Sequence, residues 1–87
     1  MVIEKWIIEA IEKERDRQNL LFGGEHSWGK GDCSSPDTEE IVKSAVLSEE
    51  CGEVSRAVLD HNRRALKKEL IQVAAVAIAW LTIYKEV

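Results

Sequence analysis

Two stretches of this chain set carboxylates inside apolar helical stripes, and that pattern restricts the fold more than any other feature. In LSEECGEV, residues 47–54, Glu50 and Glu53 share a helical face with Val46, Leu47, Val54 and Ala57, and Glu49 stands at its edge. In KELIQVAAV, residues 68–76, Glu69 and Gln72 repeat the i, i+3 spacing on a face shared with Leu66, Val73, Val76 and Trp80. A carboxylate in a core is costly unless it is paired, protonated or bound to a metal. Two such pairs are tolerated when their helices are antiparallel neighbours and the four oxygen-bearing side chains converge. An oxygen-only set suits a hard cation, Mg²⁺ or Mn²⁺. A di-iron bundle would want Glu-x-x-His on its helices, and neither His26 nor His61 has that spacing. The competing arrangement is ion pairing of these glutamates with Lys43, Arg56 or Lys68, or their exposure to solvent.

The rest of the chain reads as an all-α domain spanning residues 1–87, with about three helices. Residues 2–19 carry Ile3, Ile7, Ala10 and Ile11 on one face, which Glu14 and Gln18 continue as a polar end. That change of character suits either the mouth of a pocket or a helix end reaching water. Residues 20–36 hold four of the five glycines and read as a long loop carrying Phe22, His26, Trp28 and Lys30. A second helix begins near SSPDTEE, capped by Ser35 or by Asp37, and runs to about Asp60. A third runs from about Arg63 to Lys85 and is apolar on opposite faces, with Ile71, Ala74 and Ile78 on the second. Such a helix needs cover on two sides, which implies a bundle completed by oligomerisation with this helix near its centre. Its alanines would let another helix approach closely.

Charge and cysteine content narrow the partners. The net charge is −4, and no Lys/Arg run is long enough to track a phosphate backbone, which disfavours a nucleic acid polymer. A small anion held through a metal stays compatible. No apolar run reaches membrane-spanning length, and the charged residues from Glu4 onward do not suit a signal peptide. Cys33 and Cys51 form no zinc or C-x-x-C pattern and fit two reduced thiols in a cytoplasmic protein. GEHSWGKG, residues 24–31, imitates a phosphate-binding loop but lacks the terminal Ser or Thr, a preceding strand and a following helix. Trp28 and Phe22 are candidates to stack on a base, and Glu14 and Gln18 to bond its edge or help close a metal site. Lys30, Arg63, Arg64, Lys67 and Lys68 are candidate phosphate contacts.

EECGE, residues 49–53, followed after a gap of 15 residues by ELIQVAAVAIAW, residues 69–80, resembles the MazG-like all-α nucleoside triphosphate pyrophosphohydrolase superfamily. ERDRQNLLFGGEH, residues 14–26, is similar to the N-terminal segment of its compact, phage-type members. The resemblance implies Mg²⁺-dependent cleavage of a (d)NTP to a monophosphate and pyrophosphate by a dimer or tetramer. It implies Glu50, Glu53 and Glu69 as metal ligands, and Glu49 as the carboxylate that orients or deprotonates the attacking water. Where the family pattern has Asp, this chain has Gln72. That residue offers either a neutral ligand or a hydrogen-bond partner for a ligated glutamate. It also leaves open a second function, a helical oligomer that binds a nucleotide with weakened or lost hydrolysis.

Overall fold

The structure, a computed structural model, describes residues 1–26 and 29–85, apart from the side chains of 29 and 30. It is all-helical in character: α1 (Lys5–Phe22), α2 (Glu40–Leu59) and α3 (Arg63–Leu81), with a 3-10 turn, Thr82–Tyr84, continuing α3. The glycine-rich segment adds one very short antiparallel pair, β1 (Glu25–His26) with β2 (Gly29–Lys30).

The main departure from the sequence reading lies at the start of α2, where neither Ser35 nor Asp37 caps a helix. Asp32 Oδ1 accepts from the Ser34 backbone N–H at 2.9 Å and from the Ser34 hydroxyl. Ser35 Oγ accepts from the Asp37 N–H at 3.1 Å. These side chains satisfy local backbone donors in turns and compete with a helix, so α2 begins only at Glu40. Gly31 enters this segment at φ +92°, and a Cβ there would lie 2.5 Å from Ser35 Cβ, so no other residue fits.

α3 packs against both α2 and α1, which gives one reason for its two apolar faces. Of the alanines of α3, Ala75 and Ala79 are fully buried, whereas Ala77 is exposed. Cys33, Val76 and Ala79 form one cluster of the core, with Val46 and Leu47 packed against them. Leu70, Ile78 and Leu81 stay exposed, so α1 covers only part of the second face.

The α2–α3 turn does the most to position the site. The Asn62 N–H bonds Ala57 O and the His61 N–H bonds Val58 O, each at 3.1 Å, with His61 at φ 53°. This closes α2 in a left-handed cap. Asn62 Oδ1 then accepts from the Ala65 N–H at 3.0 Å and caps α3. The chain therefore reverses around His61. Glu53 and Glu69 each lie eight residues from it, and Glu50 and Gln72 each lie eleven. At about 1.5 Å rise per residue, members of each pair stand at the same height on antiparallel helices.

Lys43 occupies the same stripe of α2 as Glu50. It is 0% exposed, and its Nζ has no hydrogen-bond partner among the described residues. An unpaired polar group in a core costs about 1–3 kcal/mol, more when charged. The Lys43→Met substitution keeps the stem and removes the ammonium. Thermal unfolding is expected to show a higher Tm for that variant.

Candidate metal centre

The turn register brings together the carboxylates that the sequence placed in separate stripes. One oxygen from each of Glu50, Glu53 and Glu69 lies within 4.8 Å of the others. Glu50 and Glu69 are half-buried and Glu53 is exposed. Two ionised carboxylates about 5 Å apart repel by roughly 3 kcal/mol at an effective dielectric near 20. The site therefore favours a proton or a cation. Burial first, then the charges of Glu53, Glu69, Glu49 and Glu14, push the Glu50 carboxyl up to about 7. The Glu69 carboxyl is also raised, by burial first, then by a hydrogen bond and charge repulsion from Glu53, while Lys68 opposes the shift.

Gln72 is buried against this cluster. With its amide nitrogen turned toward them, Nε2 lies 3.0 Å from Glu50 Oε2 and 2.8 Å from Glu69 Oε2. It can donate one N–H to each, which fixes both carboxylates without adding charge. Of the two roles open to it, hydrogen-bond partner fits these contacts.

The ion-pair alternative does not form around Lys43 or Arg56. Lys43 has no partner among the described residues, and Arg56 approaches Asp60 at 3.9 Å. Lys68 only eases the charge of Glu69 and Glu14.

α1 contributes a polar layer beside the cluster. Arg17 grips Glu14 through Nε and Nη2 at 2.7 and 2.6 Å. Gln18 Nε2 donates to Glu14 Oε2 at 3.0 Å. Gln18 Oε1 accepts from Arg15 Nη1 at 2.8 Å, and Arg15 Nη2 reaches Asp32 Oδ2 at 3.0 Å. Arg17 foremost holds the Glu14 carboxyl below its ordinary value, and Glu14, Glu50 and Glu69 raise the Arg17 guanidinium. Arg15, Arg17 and Asp32 were missed from the sequence. The i, i+3 spacing of Glu14 and Arg17 was a usable signal, whereas the Arg15–Asp32 contact needs the fold.

A cavity of about 300 Å³ opens next to Glu49 and Glu50, walled by Phe22, Thr38, Val42 and Val46. Glu49 sits exposed at its rim. Trp28 and the Lys30 side chain, both singled out from the sequence, lie outside the described residues. His26 Nε2 contacts Phe22 O at 2.7 Å. Cys33 and Cys51 are both free thiols, the first buried and the second exposed. A larger groove, about 680 Å³, is walled by Trp6, Ile7, Ile11, Leu66 and Leu70 together with Arg63 and Lys67, and includes none of the clustered carboxylates. Compared with protein-family models, curated proteins and solved structures, the chain matches none.

The raised Glu50 carboxyl gives a signed pH dependence. Between the ordinary 4.5 and about 7, the folded chain binds a proton that the unfolded chain has released. Stability then falls as pH rises through that window. In metal-free buffer the Tm is expected to drop as pH rises from 4.5 to about 7, and Mg²⁺ is expected to reverse most of the drop at the higher pH. Calorimetry with and without chelator measures both.

Proposed function

We propose that this chain is a Mg²⁺-dependent nucleoside triphosphate pyrophosphohydrolase, cleaving a (d)NTP to a monophosphate and pyrophosphate. The observation that carries the reading is the convergence of Glu50, Glu53 and Glu69 within 4.8 Å, in the order and spacing of the MazG-like pattern. The donor set fits the ion: three carboxylates, all hard oxygen ligands, supply up to three negative charges without help from Gln72. Mn²⁺ satisfies the same donors. When bound, the ion supplies charge neutralisation at the phosphates and acidifies water.

The chain's own residues supply the rest. Gln72 holds Glu50 and Glu69 in place through its two N–H groups. Glu49, exposed at the rim, takes the proton of the attacking water. The water oxygen bonds to the α-phosphorus, the bond to the α–β bridging oxygen breaks, and pyrophosphate leaves. The cavity beside Glu49 and Glu50 receives the organic part of the substrate against Phe22, Val42 and Val46.

Assembly as a homo-oligomer is part of this reading. A monomer of this mass exposes about 5,200 Å² by surface–mass scaling, whereas this chain exposes 6645 Å². Its radius of gyration, 13.6 Å, exceeds the roughly 12 Å usual for its length. Trp6, Leu70, Ile78 and Leu81 are among the exposed apolar side chains that a second copy would cover. Light scattering is expected to give a dimer or tetramer, and a monomer at high concentration would remove this part of the reading. No helix among the described residues is long and apolar enough to cross a membrane.

Pyrophosphate release from a nucleotide panel tests the activity. Mg²⁺-dependent turnover is expected, with loss to background in the Glu50→Gln/Glu53→Gln variant. Gln72→Ala is expected to weaken Mg²⁺ binding roughly 10–100-fold. The competing reading is a nucleotide-holding oligomer without hydrolysis, and the missing fourth carboxylate at Gln72 favours it. Nucleotides that raise the Tm without turnover, with activity appearing in Gln72→Asp, would establish that reading instead.

A further inference from the structure

A second concavity, of about 660 Å³, lies on the α1–α3 face. Lys13 and Arg17 line it from α1, and Arg64, Lys67 and Lys68 line it from α3. These are five of the chain's twelve cations, on a protein of net charge −4. Among the described residues, no carboxylate is in ion-pair contact with Lys13, Arg64, Lys67 or Lys68. Two acids share the wall, Glu14 and Asp16, and Glu14 is committed to Arg17.

The local structure opposes this gathering of charge. Arg64 sits in the first turn of α3, which holds no acidic residue, and Lys67 and Lys68 follow within the next turn. The positive end of a helix dipole disfavours cations. Like charges on facing helices repel as well. Both costs would be relieved by a multiply charged anion. Lys67 also sits over the Trp6 ring, 4.8 Å from its centroid, where this concavity adjoins the larger groove that both residues line.

The groove also joins the carboxylate cluster. Arg17 lines both this concavity and the cavity that reaches Glu49 and Glu50. Lys13 lies one helical turn before Arg17, and Arg64 one turn before Lys68, a spacing of about 6 Å along each helix. We propose that this groove binds a run of consecutive phosphates, with Arg17 at the junction where that run meets the carboxylate cluster. It takes the distal phosphates of the substrate and holds pyrophosphate before release. The reaction role rests on the pyrophosphohydrolase reading, whereas the binding of an oligophosphate does not. A compact, highly charged chain matches five cations in one hollow better than a duplex, whose phosphates spread along its length.

The test uses inorganic tripolyphosphate with the intact protein in chelator, so that no divalent ion bridges the two. Calorimetric titration is expected to show saturable binding, weakened roughly tenfold or more in Lys13→Ala/Arg64→Ala. Backbone amide NMR is expected to place the perturbation on residues around 13–17 and 64–68. Unchanged affinity in the double variant, absence of binding, or equal competition by duplex DNA at matched charge overturns the proposal. Tripolyphosphate binding without nucleotide turnover keeps the groove and removes the hydrolase reading. Turnover whose KM ignores the double variant, with no tripolyphosphate binding, keeps the hydrolase and removes the groove.

Discussion

Electrostatic repulsion among Glu50, Glu53 and Glu69 is the constraint around which the rest of the molecule is organised. Their oxygens lie within 4.8 Å because the α2–α3 turn at His61 sets both helices in one register. That turn is held by backbone bonds to Ala57 and Val58 and by the Asn62 cap. A slip of one residue on either helix would rotate a carboxylate by about 100° and disperse the cluster. The arrangement is costly without a counter-charge, and the upward shift of Glu50 reflects first its burial and then the charges of its neighbours.

The surroundings divide into groups that hold the carboxylates and groups that answer their charge. Gln72 does the first: two N–H donors fix Glu50 and Glu69 and add no further repulsion. An aspartate there would raise the negative charge and so demand more from the cation. Arg17 does the second from α1, close enough for Glu50 and Glu69 to stabilise its charged form. Its bidentate contact with Glu14, supported by Gln18, keeps the guanidinium in place beside the cluster. The hydrogen-bond chain through Arg15 to Asp32 ties this layer to the segment after the glycine-rich loop.

Stability and site make different demands on a chain this small. Among the described residues the buried apolar core is small: Cys33, Ala57, Ala75, Val76 and Ala79, with Val46 and Leu47 packed on it. Buried polar residues are as prominent as apolar ones, among them Gln18, Asp32 and Gln72. Most of these belong to the hydrogen-bonded layer or the carboxylate cluster, so interior volume serves the site. Large apolar side chains such as Trp6, Leu70 and Leu81 remain on the surface.

The all-α class and the identity of the carboxylate cluster were legible in the sequence, because helical periodicity is local. Glu50, Glu53 and Glu69 sit in apolar stripes whatever the tertiary structure, and their facing follows once two helices are joined by a short turn. The start of α2 was not legible, since Asp32, Ser34 and Ser35 bind backbone donors as readily in turns as in helix caps. Nor were Arg15 and Asp32, or the cationic groove shared by α1 and α3. Those depend on how helices from separate parts of the chain approach one another. Local spacing by itself determined which side chains share a face. Only packing decided which faces meet, because the angle and register between α1 and α3 are set by side-chain contacts distant in sequence.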